Sequence, residues 1–479
     1  MSSKLKINAI YNAFYQIVLF VSPIIVAPYV SRVFGPEGIG AISFSQSIFI
    51  FFNLLGSLGS GTYGQRLIAS TRNNIEDLTK SFWEIVILKV FLSITSIIIY
   101  TTFVFYSNIG YKTLLLVLIV DLSVNMFDIA WLYQGLENFK KTIINQVIIK
   151  VLAIVGIFLF VKNSEDTYVY LLCFSIPLLL GYIALWKGVS KNLVKIKIRD
   201  LKPFKHLGGL VALFLPFIAI LLFSKVDKLM LGFLSDEILE VGYYEQGMKF
   251  ISIALGFITS FSVVLLPTLT NYFQSKNHKE LKDIILKTIL RVFGLSILLF
   301  LGLFVVSSNF VPWFFGKEFI PSIAIMKILS VLMMFKGINA ILGSAYLISI
   351  YQQKKYTIAI YTSVILNILL NWLLIPIYFS KGAAYTSVFS EIFLFAMLMY
   401  FSKDVINYAV LFKLVWKYIL AGIFTILPLG LLANHLDPSI LNTIILTISL
   451  LLMYGTILIF VFKDEVIITS FKKIVGKFY

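Results

Sequence analysis

The sequence has 479 residues and a formal net charge of +17; 59% of its residues are hydrophobic and 13% are charged. A soluble globular protein carries about a quarter of its residues as Asp, Glu, Lys and Arg, so this composition excludes a soluble enzyme. Cys173 is the only cysteine, which excludes a disulfide-stabilised secreted scaffold. The apolar runs are too long for a membrane β-barrel, whose strands alternate in segments of about ten residues. These features predict an all-α membrane protein.

Apolar runs along the chain predict fourteen transmembrane helices, because each is long enough for the roughly 20 residues that cross a bilayer. The predicted spans lie near residues 9–30, 39–62, 82–106, 113–133, 143–161, 167–186, 207–234, 244–271, 284–307, 321–350, 357–377, 383–401, 411–432 and 440–462.

A basic hydrophilic segment, residues 187–206, separates six predicted spans from the remaining eight. It predicts an N-terminal lobe over 1–186, a cytoplasmic linker over 187–206 that lies at an anionic lipid surface, and a C-terminal lobe over 207–402 with spans seven to twelve. The last part, 403–479, holds spans thirteen and fourteen and a cytoplasmic tail. A faint repeat of one helical hairpin, about 200 residues apart, agrees with two similar lobes.

Lys and Arg are concentrated in the connections on one side of the predicted membrane, the side that also holds both termini. Cytoplasmic loops collect these residues, so we predict that both termini are cytoplasmic. Within the chain, no tract combines clustered basic residues with aromatic residues in a hydrophilic region, so we expect no nucleic-acid partner.

Ionisable residues occur deep in the predicted spans, where each costs about 2.5–3.5 kcal/mol on insertion scales. They therefore indicate a polar, water-filled cavity between helices. The acids are Glu84, Asp121, Asp128, Asp227, Glu245 and Glu391. The candidate ligands for an anionic, phosphate-bearing substrate are Lys89, Lys150, Lys225, Lys228, Lys249 and Lys336, together with Arg66 at the cytoplasmic end of the second span. Alternatives remain open: pairing with acids, snorkelling for Lys228, and the positive-inside rule for Arg66.

Three polar residues of the fourth predicted span, Asp121, Asn125 and Asp128, fall at positions i, i+4 and i+7. This spacing places them on one helix face. Two acids on one face favour a cation or a shared proton, so we predict a coupling site for H⁺ or Na⁺. The alternative is that each acid pairs with a lysine on a neighbouring helix, such as Lys89 or Lys150. A local ion pair is predicted between Glu245 and Lys249.

Catalytic and cofactor-binding motifs are absent from the sequence: it contains no HExxH, no CxxC and no Walker loop, and its three histidines are far apart. We therefore expect neither an enzyme nor a bound metal or organic cofactor. Energy for any transport would come from an ion gradient, the membrane potential or the substrate gradient.

Residues 28–40 read PYVSRVFGPEGIG. This stretch resembles the opening signature of the bacterial polysaccharide-unit flippases (Wzx type), which belong to the multidrug/oligosaccharidyl-lipid/polysaccharide exporter superfamily. The number of spans and the six-plus-eight division match along essentially the whole chain. The resemblance continues at residues 44–47, 64–69, 227–232 and 241–244.

The resemblance implies two six-helix bundles arranged as a V, with two further C-terminal helices. It also implies a bacterial cytoplasmic (inner) membrane protein that moves undecaprenyl-diphosphate-linked oligosaccharide repeat units from the inner to the outer leaflet by alternating access. The product would be a capsule, an O-antigen or an exopolysaccharide. The implied partners are the lipid-linked glycan, membrane lipids and the polysaccharide polymerase of the same pathway.

Within the signature, Gly35, Pro36, Glu37 and Gly38 predict an outward turn. Arg32 either anchors the helix end or closes an outer gate through Glu37 or Asp236.

Rival functions are a cation-coupled multidrug or metabolite exporter and a peptidoglycan lipid-precursor flippase of the same superfamily. A membrane-bound sugar polymerase or acyltransferase is more distant. For the flippase, alanine at Lys89 or Lys225 is expected to reduce transport while the protein stays in the membrane.

Overall fold

The computed structural model describes residues 3–189 and 193–464, and all regular secondary structure in these ranges is helical. By length and composition, eleven of the described helices could cross a membrane. Gln353–Phe401 contains two predicted spans, and Val21–Thr71 contains the second and the end of the first, whose remaining residues lie in the same helix, which begins at Ser3. The 28-residue helix Leu207–Leu234 contains the seventh. All fourteen predicted spans therefore lie in helices, and the prediction of an all-α membrane fold is confirmed.

Large apolar side chains are exposed along the outsides of these helices, for example Leu159, Leu369 and Leu431. Exposed apolar surface on this scale indicates contact with lipid. The chain is a multi-pass membrane protein.

The chain divides into two compact units, one ending at Leu221 and the other beginning at Leu222. The division lies inside the helix that follows the basic linker. The helices before it are α1 (Ser3–Ser57), α2 (Ser60–Thr71), α3 (Ile75–Tyr106), α4 (Lys112–Val117), α5 (Ile119–Phe127), α6 (Ala130–Gly135), α7 (Phe139–Phe160) and α8 (Thr167–Leu185).

The helix α9 (Leu207–Leu234) crosses the division. The second unit continues with α10 (Leu239–Gln274), α11 (His278–Phe314), α12 (Ser322–Ser330), α13 (Leu332–Asn339), α14 (Gln353–Phe401), α15 (Tyr408–His435) and α16 (Ile440–Thr456), with π-helical turns at Ala340–Leu347 and Ile457–Val461.

A backbone break at Gly35 divides α1 into the first two spans. Gly35 has φ 61° and ψ −176°, a conformation that a residue with a Cβ rarely adopts. Pro36 follows it, and a proline disfavours helical geometry in the residue before it. The glycine–proline pair therefore ends one helix and starts the next, at the position where the sequence predicts a turn.

The fourth predicted span is three short helices, α4 to α6, rather than one. Asp128, after the end of α5, has φ −68° and ψ 105°, which is extended backbone. The predicted continuous face of Asp121, Asn125 and Asp128 is therefore interrupted at its last member. No proline or glycine marks this break; contacts from other helices hold it, as shown below.

The cytoplasmic half of the first unit, on the predicted topology, packs around Trp131, which is 1% exposed and contacts Phe82. A tight approach of α2 to α6 makes this packing possible. A Cβ at Gly64 would lie 2.7 Å from the Trp131 ring. Glycine at 64 therefore lets the indole approach the α2 backbone.

Alanine at Gly64 should lower the thermal stability of the purified protein, because overpacking a tight interior contact costs about 1–3 kcal/mol. The matched control is Gly61→Ala on the same helix, where a Cβ meets nothing within 4 Å. Melting in detergent, followed by loss of the monodisperse gel-filtration peak, checks the difference. Equal melting of the two variants would contradict the packing argument.

In the second unit, α14 contains a comparable break at Phe379, with φ 51° and ψ −130°. Glu240 at the start of α10 accepts hydrogen bonds from the Ser380 N–H (3.1 Å) and from the Ser380 hydroxyl. At Gly382 a Cβ would lie 2.4 Å from the Leu374 carbonyl oxygen. A glutamate from another helix and a glycine thus hold this tight hairpin between the eleventh and twelfth spans.

Candidate functional site

Lys89 on α3 is paired with Asp128 in the interior of the first unit. Its ammonium donates to the Asp128 carboxylate (2.9 Å) and to the Asp128 backbone carbonyl (2.7 Å). The other carboxylate oxygen accepts from the N–H of Ala130, the first residue of α6 (2.9 Å). The Lys89 side chain is 3% exposed. Lys89 therefore stabilises the break between α5 and α6. For Asp128, the structure shows an ion pair with a lysine on a neighbouring helix, one of the two alternatives that the sequence left open.

The other two predicted coupling residues have different surroundings. The Asn125 amide donates to Asn53 Oδ1 on α1 (2.6 Å). Asp121 lies beside Ser175 of α8, and its Oδ1 is buried without a hydrogen-bond partner among the described residues. Of the three, only Asp121 has a buried side-chain oxygen without a hydrogen-bond partner in the described part of the chain.

Lys150 on α7 lies over the ring of Phe174 on α8, with 5.5 Å between the ammonium and the ring centroid. This is a cation–π contact, which leaves the ammonium with hydrogen bonds to donate. Among the described residues, no acid lies within ion-pair distance of Lys150.

Three predicted lysines of the second unit surround one carboxylate. Lys228 on α9 forms an ion pair with Glu245 on α10, and Lys225 and Lys249 lie within electrostatic range of the same carboxylate. The ion pair joins two helices, whereas the sequence predicts a local pair of Glu245 with Lys249. We call Lys225, Lys228, Lys249 and Glu245 the lysine cluster.

The lysine cluster carries an excess of positive charge, because three ammonium groups share one carboxylate. Lys225 and Lys228 repel each other across a short separation. Lys225 and Lys249 are only partly buried, so a ligand can reach them. An anion bound here would relieve the repulsion and accept hydrogen bonds from both.

Lys336 on α13 forms an ion pair with a buried glutamate. Its ammonium lies 2.8 Å from the carboxylate of Glu391 on α14, and that side chain is 1% exposed. Asn339 donates to the same carboxylate (2.7 Å) and to the Glu391 backbone carbonyl (3.2 Å). The helix continues from Asn339 as a π-helix. Lys336 therefore contributes less free charge than the lysine cluster does.

Asp227 forms a buried network that the sequence did not reveal. Its carboxylate accepts from the Tyr244 hydroxyl (2.9 Å), the Ser387 hydroxyl (2.5 Å) and the Asn371 amide (2.7 Å). These donors lie on α10 and on both halves of α14. The Asn371 Oδ1 in turn accepts from the Thr386 hydroxyl. One aspartate thus joins the seventh, eighth, eleventh and twelfth spans through neutral donors.

A second unpredicted cluster fixes the end of the basic linker. The buried Glu84 carboxylate on α3 accepts from the Lys202 N–H (2.8 Å), the Lys205 ammonium (2.8 Å) and His206 Nε2 (2.9 Å). His206 Nδ1 in turn hydrogen-bonds the Tyr63 hydroxyl on α2 (2.9 Å). We call Tyr63, Glu84, Lys202, Lys205 and His206 the linker clamp.

Alanine at Gly209 should open the linker clamp, because a Cβ there would lie 2.6 Å from the Tyr63 ring. Displacing Tyr63 removes its hydrogen bond to His206, worth about 1 kcal/mol, so trypsin should cleave the lysine-rich linker several-fold faster. Gly208→Ala is the control, since a Cβ at 208 meets nothing within 4 Å. Limited proteolysis of the purified protein measures the rates; identical rates for both variants would refute the expectation.

Arg66 is exposed on α2 and lines a cavity of about 400 Å³ together with Tyr63, Leu67, Gly209 and Ala212. Its guanidinium is therefore accessible to an anion beside the linker clamp. The two interpretations of Arg66, a ligand contact and a positive-inside residue, both stay predictions.

In the signature motif, Arg32 and Glu37 are exposed on the two sides of the Gly35 break. A Cβ at Gly38 would lie 2.8 Å from Phe34 Cβ, so this glycine allows the turn to close. Glu37 lines a cavity of about 560 Å³ with Tyr111 and Glu165. A gating role for Arg32 stays a prediction.

Comparison with known sequences gives two findings. A family model described as "Polysaccharide biosynthesis protein" matches residues 5–273, more than half of the chain. A protein named "Putative O-antigen transporter" from Escherichia coli (strain K12) is 22% identical over 409 residues, covering 84% of this chain and 97% of the relative.

Solved structures show the same fold. The structure titled "Lipid II flippase MurJ, inward closed conformation" aligns with a TM-score of 0.69 at 19% identity, over 95% of this chain and 98% of that one. An inward-facing multidrug resistance MATE family transporter of the MOP superfamily aligns with a TM-score of 0.64 at 15% identity, over 83% and 96% of the two chains.

Proposed function

The chain belongs to the polysaccharide biosynthesis protein family, whose model matches residues 5–273, and from this we propose that it is a lipid-linked oligosaccharide flippase. The cargo would be an oligosaccharide repeat unit joined through diphosphate to undecaprenol. It would move from the inner to the outer leaflet of the bacterial cytoplasmic membrane, in a protein with both termini in the cytoplasm. The O-antigen relative supports this cargo class.

The lysine cluster is the observation that carries the proposal. A diphosphate brings two or more negative charges into the protein, and the cluster offers an excess of ammonium groups over acids in the interior of the second unit. Lys89 and Lys336 are already paired with acids. We assign Lys225 and Lys249 to the diphosphate because they lie around one shared carboxylate, whereas Lys150, which also lacks an ion pair among the described residues, is a single lysine over a phenylalanine ring.

In the proposed cycle, the ammonium groups of Lys225 and Lys249 replace the water around the diphosphate, and the sugars occupy the polar interior. Hydrogen bonds from cations to phosphate oxygens are among the strongest available to a protein. The isoprenoid tail stays in the lipid bilayer, because this apolar chain needs no protein surface to shield it from water there. Alternating access then delivers the headgroup to the outer side, from which a polymerase would take the repeat unit.

For energy coupling, we propose Asp121 as the group that takes up H⁺ or Na⁺. Asp128 is neutralised by Lys89 and Asn125 is bonded to Asn53, so of these three residues Asp121 is the one whose buried side-chain oxygen has no hydrogen-bond partner among the described residues. A proton or a cation would satisfy that oxygen. Under this proposal Asp121→Asn transports cargo down its own gradient but no longer responds to an imposed ion gradient in liposomes.

The test of the cargo is a deletion strain analysed for surface polysaccharide and for lipid-linked intermediates. Loss of the polymer, with undecaprenyl-diphosphate-linked repeat units retained in the inner leaflet, is the expected result. Complementation with the wild-type gene is the control. Unchanged polysaccharide combined with altered drug sensitivity would overturn the proposal in favour of a multidrug exporter.

A further inference from the structure

An open apolar groove of about 970 Å³ lies along the basic linker of the first unit. Its walls come from Trp83 and Ile87 on α3, from Trp186 and Val189 at the end of α8, and from the linker itself. The groove shares no residue with the lysine cluster or with the linker clamp. The transport function therefore leaves it without a role.

The linker presents an alternating pattern at the groove. Residues 194–199 read VKIKIR, and residues 193–197 are non-helical, with Lys197 at φ −78° and ψ 131°. In extended backbone, successive side chains point to opposite sides. Val194, Ile196 and Ile198 line the groove together with Lys195. Lys195, Lys197 and Arg199 are all exposed, and a short 3-10 helix, Ile198–Asp200, begins at the last apolar residue of the pattern.

Ile198 is 81% exposed, in a segment that carries three cations. Water is an unfavourable surrounding for that side chain, whereas the boundary between headgroups and acyl chains suits an apolar residue flanked by bases. Two tryptophans, which favour the same boundary, complete the wall, with ring centroids 6.4 Å apart.

The groove is held in shape by hydrogen bonds. The Trp186 indole N–H donates to the Phe127 carbonyl (2.8 Å), and the Val194 N–H donates to the Thr79 hydroxyl (3.2 Å). One wall and the linker are thus each fixed to neighbouring helices. The groove is a preformed site.

We propose that this groove binds one anionic membrane phospholipid, with an acyl chain along the tryptophan wall and the phosphate at Lys195, Lys197 and Arg199. Charge complementarity selects this occupant, because anionic lipids are concentrated at the cytoplasmic surface where basic linkers lie. The bound lipid fastens the linker to the first unit as a second attachment beside the linker clamp.

Tryptophan quenching tests the acyl chain. The purified full-length protein in detergent is titrated with phosphatidylglycerol or phosphatidylcholine carrying brominated acyl chains. Phosphatidylglycerol is expected to quench at about tenfold or more lower concentration, and Trp83→Phe/Trp186→Phe should lose most of that quenching. Equal potency of the two lipids, or undiminished quenching in the double variant, would overturn the proposal.

Charge removal tests the headgroup. Lys195→Gln/Lys197→Gln/Arg199→Gln should weaken phosphatidylglycerol binding about 100-fold. The matched control is Lys279→Gln/Lys282→Gln/Lys354→Gln, which removes three exposed lysines of the second unit and should bind as the wild type does. Similar binding by both triple variants would refute the headgroup assignment.

Competition separates the lipid from the transported cargo. Undecaprenyl diphosphate, added to protein saturated with brominated phosphatidylglycerol, is expected to leave the quenching unchanged at equimolar concentration. Displacement at that concentration would assign the groove to the cargo and overturn the proposal. Because the readout is binding, it does not depend on whether the protein transports the proposed glycan.

Discussion

Replacing Lys225 and Lys249 together with glutamine should abolish most transport while the protein stays folded in the membrane. Each charge-assisted hydrogen bond is worth about 1.5–3 kcal/mol, so losing two should slow transport about 100-fold or more. The Lys228–Glu245 ion pair remains intact in this variant, which preserves the contact between α9 and α10.

The matched control for this variant is Lys279→Gln/Lys282→Gln, which removes two exposed lysines at the beginning of α11. Complementation of a deletion strain, with surface polysaccharide quantified at equal membrane protein levels, measures the difference. If the Lys225/Lys249 variant restored the wild-type amount of surface polysaccharide, the assignment of the diphosphate to the lysine cluster would be wrong.

Alanine at Lys89 should destabilise the protein as well as reduce transport. The sequence alone predicted only reduced transport, with the protein retained in the membrane. The structure gives a reason to expect more: breaking a buried ion pair by removing one partner costs about 3–5 kcal/mol, and the Lys89 side chain is 3% exposed. The loss should also free the Asp128 carbonyl that holds the break in the fourth span.

The double variant Lys89→Met/Asp128→Asn should recover most of the stability, because it leaves no unpaired charge. Lys150→Ala is the comparison at a partly buried lysine of the same unit, and its melting temperature should stay near the wild-type value because it breaks no ion pair among the described residues. Thermal melting in detergent distinguishes the three variants. Equal melting of Lys89→Ala and Lys150→Ala would contradict a structural role for the Lys89–Asp128 pair.

The helices could be predicted from the sequence because each span is a long apolar run, and hydropathy depends only on local composition. The break at Gly35 was also visible, since glycine followed by proline is a local signal. The break at Asp128 had no such signal. Four hydrogen bonds to its carboxylate and carbonyl, two from Lys89, one from the Ala130 N–H and one from Trp131 Nε1, hold a conformation that the local sequence does not favour.

The members of the polar clusters were recognisable, but their partners were not. Lys228 and Glu245 were both identified as buried charges, yet the i, i+4 rule assigned Glu245 to Lys249 on the same helix. The linker clamp was missed because Glu84 and His206 are 122 positions apart. Which residues that are far apart in the chain come into contact depends on how the helices pack, and hydropathy and residue spacing do not show this.

The backbone conformation of Gly35 determines how substitutions in the signature motif should be interpreted. Its φ of 61° with ψ near 180° is open to glycine and strained for other residues, so intolerance to substitution at this position reflects the backbone and is independent of cargo. Experiments on the proposed cargo should therefore leave Gly35 unchanged, because a variant at this position would test the backbone and not the cargo.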